Sequence, residues 1–85
     1  MHKAMATSCF LRDNWHCRHC NNTAGLHPHH VIYRSAGGAD SLDNLITLCA
    51  WCHSMVHAGH LIIEVVKLKA HNLEVKFWKQ KGWKP

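Results

Sequence analysis

The sequence predicts a small α+β domain that is stapled by a zinc site and ends in a β-hairpin. The chain has 85 residues, and so short a chain buries too little apolar surface to be comfortably stable by core packing alone. Four of its five cysteines form two Cys-x-x-Cys pairs, which is the spacing of a metal site rather than of a disulfide framework. Short helix-like and strand-like patterns surround these pairs. We therefore expect residues 1–85 to form a single domain.

The first half of the chain predicts one helix and two strands. Residues 3–13 have the pattern of a short amphipathic helix that could cover the zinc site. Residues 29–33 are rich in β-branched and aromatic side chains and predict a strand, with Pro28 at its first position or at an edge. A loop rich in Gly, Ser, Asp and Asn follows over residues 34–44. Residues 45–48 predict the second strand.

The second half predicts a helix and a hairpin. The helix runs over residues 51–58 and ends at Gly59. Strand-like runs follow at residues 61–68 and 73–78, with residues 70–72 as the turn between them. Alternation in the second run predicts that its odd-numbered residues face the core and its even-numbered ones face solvent. We expect a loose tail after the hairpin, over residues 79–85.

The four paired cysteines, Cys17, Cys20, Cys49 and Cys52, predict a structural zinc site, because four thiolates satisfy a tetrahedral zinc ion. The segment between the pairs, residues 21–48, is longer than the roughly 15–20 residues of a compact zinc ribbon. The metal would therefore clamp the two ends of an inserted strand–loop–strand unit. The alternative of free or disulfide-bonded thiols leaves the repeated ligand spacing unexplained.

Charge and hydropathy limit the partners. Ten Lys and Arg against five Asp and Glu give a formal charge of +5, which favours an anionic partner such as nucleic acid. Charge alone is weak evidence, since the lysines that crowd the last third of the chain could merely solubilise exposed strands. No apolar run reaches the roughly 20 residues that span a bilayer, and the first residues lack the apolar core of a signal peptide. We expect a cytoplasmic protein with reduced thiols and no membrane partner.

A second group of polar residues lies between and after the cysteine pairs: His29, His30, Asn44, His53 and His57. On a helix, His53 and His57 share one face because they are four residues apart. This spacing is common by itself, and it lacks the glutamate that marks zinc proteases. His53 directly follows Cys52, however, so the zinc site would fix the start of the helix that carries both histidines.

These residues together resemble the zinc-bearing HNH endonucleases of bacteria and phages. The resemblance covers residues 17–57, about half of the chain, and runs through Cys-x-x-Cys, His-His-Val-Ile, Gly-Gly, Asn-Leu, and Leu-Cys-x-x-Cys-His in order. It implies the ββα-metal (His-Me finger) fold. The C-terminal hairpin and basic tail, residues 61–85, lie outside it.

The resemblance also implies roles for the polar group. His29 and His53 would bind a catalytic divalent ion, and His30 would be the general base that takes a proton from water. Imidazole suits that task because it exchanges protons near neutral pH. The backbone carbonyl of Asn44 would accept the Nδ1–H of His30 and leave Nε2 free. His57 would either bind the scissile phosphate or complete the metal shell.

The paired histidines pose a geometric problem. Adjacent strand residues point to opposite faces, so the strand must begin irregularly if His29 and His30 are to reach one site. Pro28 could cause this, since it fixes its own backbone and restricts the residue before it. His27 is an alternative metal ligand, although a histidine exposed on a loop is the simpler interpretation.

The expected function is a metal-dependent DNA endonuclease that uses Mg²⁺ or Mn²⁺, with Zn²⁺ or Ni²⁺ also able to occupy an imidazole-rich site. Specificity would come from a protein partner or from a homodimer. A non-catalytic zinc module that binds nucleic acid is the alternative, but it has no use for the histidine group. A redox or metal-buffering role would need labile, exposed thiolates, and the histidine motif between the cysteine pairs argues against it.

Overall fold

The computed structural model describes residues 3–79. In this part of the chain each of two helices is followed by two strands, and a short 3-10 turn lies at Arg34–Ala36. They are α1 (Lys3–Arg12), β1 (Leu26–His30), β2 (Leu45–Cys49), α2 (Ala50–His57), β3 (Leu61–Lys69) and β4 (Asn72–Lys79). The predicted α+β class and the C-terminal β-hairpin are confirmed. Of the predicted loose tail, Lys79 is the last residue of β4, and residues 80–85 lie outside the described part of the chain.

Strand β2 is the centre of the molecule. All five of its residues are buried, because β1 pairs with it antiparallel while α1, α2 and β4 contact it from other sides. A strand that is covered on both faces needs no polar alternation, which explains why Thr47 is its only polar residue. The core around it contains buried cysteines and aliphatic residues from the first cysteine turn, β2, α2 and the hairpin: Cys17, Ile46, Leu48, Cys49, Cys52, Leu61 and Leu73.

Strand β1 lies three residues earlier than the sequence predicted, at 26–30 instead of 29–33. Pro28 therefore sits in the middle of the strand, opposite Thr47. It is tolerated there because β1 is an edge strand, where a missing amide hydrogen need not break a ladder bond. As a result, the two paired histidines end the strand rather than begin it. Both stay in regular register with β2, so the predicted irregular start of the strand is not present.

The hairpin of β3 and β4 follows the predicted alternation. Leu73 is buried and Val75 and Phe77 pack against the core, whereas the even-numbered residues Glu74, Lys76 and Trp78 are exposed. Its turn passes through His71, which has a positive φ of 57°. A bulge between Val65 and Lys67 shifts the register along β3. The hairpin extends the core that begins at β2.

A buried ion-pair network ties α1 to the rest of the fold. The Asp13 side chain is only 3% exposed and accepts hydrogen bonds from Arg12, from Arg18 and from the backbone N–H of Thr47. Arg18 also donates to the carbonyl of Leu73 in β4, at 2.6 Å. Burial alone would raise the pKa of Asp13, but these hydrogen bonds and charges outweigh it and lower the pKa. Sequence analysis did not anticipate this network.

Within residues 3–79, neither helix has the length and apolar character that a membrane crossing requires.

Candidate active site and zinc centre

The four paired cysteines meet at one point. The sulfurs of Cys17, Cys20, Cys49 and Cys52 all lie within 4.8 Å of one another, and those of Cys20 and Cys49 are 3.6 Å apart. Two sulfurs on a tetrahedral zinc ion are about 3.8 Å apart, given Zn–S bonds of about 2.3 Å. The four thiols therefore fit the predicted zinc site.

Local backbone geometry presents these thiols. The first pair sits on a turn in which Asn21, with a positive φ of 64°, donates its N–H to the carbonyl of Cys17. In the second pair, Cys49 ends β2 and caps α2, because its sulfur accepts the backbone N–H of Cys52 at 3.4 Å. Burial raises the pKa of Cys52 strongly. Four thiols this close together can all ionise only beside a cation, because their negative charges repel one another.

His19 is a neighbour of the zinc centre that sequence analysis left without a role. Its Nδ1 lies 3.3 Å from the sulfur of Cys52, and its ring packs against Phe77 with 4.8 Å between ring centroids. Burial, followed by the charge of Lys79, lowers the pKa of His19. A neutral His19 can donate Nδ1–H to a cysteine ligand. Its position inside the first Cys-x-x-Cys was the signal for such a contact.

A second group of ligand atoms is formed by His29 from β1 with His53 and His57 from α2. Their nitrogens lie within 4.8 Å of one another, and the two Nε2 atoms of His53 and His57 are 3.2 Å apart. Two nitrogens bound to one tetrahedral ion are about 3.3 Å apart, given metal–nitrogen bonds of about 2.0 Å. The three imidazoles, here called the histidine cluster, could therefore hold a divalent cation.

His29 is the buried member of the histidine cluster. Its side chain is 2% exposed, because it faces α2 from a strand that is paired with β2. Burial and the neighbouring imidazoles His53, His57 and His30 lower the pKa of His29 to about 4. Burial also lowers the pKa of His53. Neutral imidazole is the form that binds metal, so these two side chains are ready to do so at neutral pH.

His27 lies beside the histidine cluster but outside it. Alternate strand residues share a face, so His27 and His29 both face α2. His27 is exposed, and its ring stacks on His53 at 5.4 Å with 15° between the ring planes. The structure thus brings His29, rather than His27, to the other two ligand nitrogens.

His30 points away from His29 and contacts a residue that the sequence did not suggest. Its Nε2 lies 2.5 Å from Oδ1 of Asp40, and the same oxygen is 3.7 Å from Nε of Arg34. The hydrogen bond with His30 lowers the pKa of Asp40. The expectation that Nε2 of His30 would be free was therefore wrong. Asp40 stands ten residues away in the loop, and only the path of that loop brings it here.

Asn44 holds the backbone that follows the paired histidines. Its side chain accepts the N–H of Ile32 at 2.8 Å and donates to the carbonyls of Ile32 and Ala39, both at 3.0 Å. Its own carbonyl accepts the N–H of Val31 at 2.9 Å, which is where the sequence interpretation had placed the ring of His30. Asn44 is 8% exposed. It constrains His30 through the chain rather than through a bond to its ring.

The two adjacent glycines let the loop close on this backbone. Gly37 has a positive φ of 87°, which favours glycine. A Cβ atom on Gly38 would lie 1.7 Å from the carbonyl oxygen of Ile32 and 2.9 Å from the Asn44 amide nitrogen. Any side chain at residue 38 would therefore push the loop away from Ile32.

The histidine cluster opens into a cleft of about 340 Å³. His30 and Arg34 also line it, so a cation-binding group, a candidate proton acceptor and a cationic side chain share one space. Tyr33, which sequence analysis did not single out, is part of the same wall. The full lining comprises Pro28, His29, His30, Tyr33, Arg34, Ser35, His53 and His57.

Comparison with known proteins agrees with this geometry. The HNH endonuclease family model matches residues 17–59, which include both cysteine pairs and the whole histidine cluster. The chain belongs to the HNH endonuclease family. The family resemblance inferred from the sequence is thereby confirmed, and nucleases of this family act on DNA.

Three curated relatives match about half of the chain each. The "Type IV methyl-directed restriction enzyme EcoKMcrA" of Escherichia coli is 40% identical over 48 residues, which is 56% of this chain and 17% of the relative. "Anaredoxin" of Nostoc is 43% identical over 37 residues, or 44% of this chain and 49% of the relative. The "Probable mobile endonuclease C" of Enterobacteria phage T4 is 45% identical over 42 residues, or 49% of this chain and 19% of the relative.

The match spans less than half the length of each of these relatives. No solved structure matches the chain. Family membership and two relatives named as nucleases support a nuclease role for the matched segment.

Proposed function

We propose that this chain is a metal-dependent DNA endonuclease that hydrolyses phosphodiester bonds with water activated by a histidine. The single observation that carries the proposal is the shared cleft. In it, three imidazole nitrogens lie within 4.8 Å of one another, and His30 lines the same wall. A zinc module that only binds nucleic acid needs the four cysteines but has no use for a second ligand group.

His29, His53 and His57 would hold the divalent ion. When bound, the ion supplies positive charge to the scissile phosphate and to the leaving oxygen. His57 had two predicted roles, and its distance of 3.2 Å from His53 Nε2 favours completing the metal shell. Three imidazoles suit Mn²⁺, Zn²⁺ or Ni²⁺ better than Mg²⁺, which prefers oxygen ligands. We therefore expect higher activity with Mn²⁺ than with Mg²⁺.

His30 would take the proton from the attacking water. With Asp40 on Nε2, the ring carries its own proton on Nε2 and presents Nδ1 as the basic nitrogen. The Asp40 carboxylate then stabilises the imidazolium that forms after proton transfer, as carboxylates do in histidine–aspartate pairs. In this arrangement Asp40 takes over the tautomer-setting role that the sequence had assigned to the Asn44 carbonyl.

The DNA backbone would meet cationic side chains at the cleft and on the hairpin. The Arg34 side chain is 61% exposed and lines the cleft, so it can reach a phosphate. Lys67, Lys69 and Lys76 are exposed on β3 and β4. Such contacts fix the position of DNA without reading its sequence. We propose that specificity comes from a second copy or from a partner protein.

Cleavage of supercoiled plasmid tests the proposal. Protein incubated with Mn²⁺ should convert supercoiled DNA to the nicked form before linear DNA accumulates, because one active site cuts one strand at a time. His30→Ala should lose this activity by at least about 100-fold, the usual contribution of a general base. His71→Asn, which replaces an exposed histidine at the hairpin turn with a residue that tolerates positive φ, is the matched control.

Circular dichroism and zinc content would show that His30→Ala is folded. Equal nicking by His30→Ala and by the parent chain would rule out His30 as the base. Binding of DNA by the parent chain without any cleavage, in Mn²⁺, Zn²⁺, Ni²⁺ or Mg²⁺, would instead support the non-catalytic zinc module.

A further inference from the structure

Two aromatic rings flank the histidine cluster without belonging to it. His27 stacks on His53 with a centroid distance of 5.4 Å and 15° between the planes. Tyr33 stacks on His57 with a centroid distance of 5.4 Å and 18° between the planes. His53 and His57, the two less buried members of the cluster, are thus each covered by one near-parallel ring.

We propose that His27 and Tyr33 are positioning residues that hold the rings of His53 and His57 in the orientation that binds the metal. The inference rests on the proposed metal site. It assigns to these two side chains a role in metal affinity that requires no direct bond to the ion.

The need for such support follows from where the three ligands lie. His29 is 2% exposed, so close packing already fixes its ring. His53 is half-buried and His57 is exposed at the last residue of α2, where helices fray. A free histidine ring on such a surface rotates about its terminal torsion, which has a broad energy profile. Metal binding then includes the loss of conformational entropy that comes from fixing that ring.

The stacked rings reduce this entropy loss, because they already restrict the ligand rings before metal binds. A planar neighbour that lies nearly parallel to a ligand ring disfavours rotation of that ring out of its plane. The ligand rings also meet one another edge to face, with 84° between the planes of His53 and His57 and 80° between those of His29 and His57. Tyr33 and His27 therefore close the two open ends of one continuous ring assembly.

Both flanking residues are held by backbone that the fold already specifies. His27 shares the α2-facing side of β1 with His29, two residues along the same strand. The carbonyl of Tyr33 accepts the N–H groups of Ala36 and Gly38, each at 2.9 Å. The turn that the two glycines permit thus sets the position of Tyr33 against His57.

Cobalt binding to zinc-loaded protein tests the inference without any nuclease assay. With zinc kept in the cysteine site, Co²⁺ titrated into the histidine cluster is followed by its visible absorption bands. A stacked aromatic pair contributes about 0.5–1.5 kcal/mol, so Tyr33→Leu should weaken Co²⁺ binding by about two- to tenfold. Tyr33→Phe keeps the ring and should bind Co²⁺ like the parent chain.

A corresponding pair of variants at residue 27, one without a ring and one with a ring that cannot bind metal, separates stacking from ligation. His27→Ala should weaken Co²⁺ binding to a similar extent, whereas His27→Phe should restore it because the ring remains. If His27→Phe binds as weakly as His27→Ala, His27 is a ligand and its positioning role is overturned. Thermal midpoint and zinc content should be the same in all four variants, which distinguishes the effect from a loss of fold.

His29→Ala separates failure of this inference from failure of the proposed metal site. Loss of Co²⁺ binding in His29→Ala together with unchanged affinity in Tyr33→Leu would overturn the positioning role alone. Unchanged Co²⁺ binding in His29→Ala would overturn the metal site and, with it, the positioning role.

Discussion

At the scale of single residues, the neighbouring histidines His29 and His30 differ in chemistry because they lie on opposite faces of β1. His29 faces α2, is buried and keeps its imidazole neutral. His30 faces the loop and meets the Asp40 carboxylate. Because the side chains of a strand alternate, a single dipeptide can supply both the metal ligand and the proton acceptor of the proposed nuclease. No irregular start of the strand is needed for this, since the cleft reaches around the strand end to both side chains.

The lowered pKa of His29 predicts a pH-dependent stability. In the unfolded chain His29 takes up a proton below its ordinary pKa of 6.5, whereas in the folded chain it does so only below about 4. The unfolded state therefore binds more protons between these values, and the fold loses stability as the pH falls through this window. From about pH 7 to about pH 5, this loss should be about 1–2 kcal/mol.

Urea unfolding of the parent chain and of His29→Gln at both pH values measures this contribution. Both proteins lose zinc in acid. The difference between their changes in unfolding free energy therefore excludes the effect of zinc loss. The parent chain should lose more stability in acid than His29→Gln does. Parallel pH dependence of the two proteins would contradict the buried, neutral state of His29.

The candidate site was largely readable from residue types and spacing, but its contacts were not. The histidines, Asn44 and the four cysteines stand in a recognisable order, and the cysteine and histidine ligand groups do converge. Asp40 was not readable, because its approach to His30 depends on how Asn44 and Gly38 fold the loop back on Ile32. Tyr33 was not readable for a related reason, since its ring orientation depends on the turn at Arg34–Ala36.

At the scale of elements, helix α2 links the four-cysteine site to the histidine cluster. Its first turn is capped by the Cys49 sulfur and carries Cys52, while the face that meets β1 carries His53 and His57. A movement of the four-cysteine site would therefore move two of the three clustered histidines. Strand β1 supplies the third ligand from the other side, and its pairing with β2 fixes the distance between strand and helix.

The Asp13 network is the corresponding link between α1, β2 and the hairpin, and it predicts a large cost for one substitution. Asp13→Ala leaves Arg12 and Arg18 without their shared carboxylate and the Thr47 N–H without its acceptor. Breaking a buried ion pair on one side typically costs about 3–5 kcal/mol, and the partial exposure of the arginines reduces this to about 2–4 kcal/mol.

Chemical denaturation compares Asp13→Ala with Glu74→Gln, a control that removes an exposed carboxylate from the outer face of β4. The control should change the free energy of unfolding by no more than about 0.5 kcal/mol. A similarly small change in Asp13→Ala would show that the network does not hold α1 in place.

At the scale of the whole molecule, a zinc ion held by the four cysteines would stabilise a fold that has only a small apolar core. The buried hydrophobic cluster includes three of the four zinc-site cysteines, Cys17, Cys49 and Cys52. The sulfurs join residues on either side of a 28-residue segment, 21–48, which carries β1, the loop and most of β2. Because such a site forms only in the folded chain, the free energy of zinc binding is also folding free energy.

Removal of one zinc ligand should therefore unfold the chain. Cys17→Ser is expected to lose the bound zinc and the cooperative thermal transition together, as measured by metal analysis and circular dichroism. Cys9→Ala provides the matched control, since Cys9 is equally buried and contacts Thr47 but lies outside the zinc group. It should keep one zinc per chain. A cooperative transition in zinc-free Cys17→Ser would contradict the role of zinc as the staple.

The sequence by itself determined the α+β class, the four zinc-site cysteines and the group of histidines that forms the cleft. These follow from ligand chemistry and from periodicity, which depend on residue type and short spacing alone. The tertiary structure decided the register of β1, the choice of His29 over His27 as the buried imidazole, and the contact of His30 with Asp40. Each of these depends on which strand residue meets β2 and on how a loop packs, and such long-range packing leaves no local pattern in the sequence.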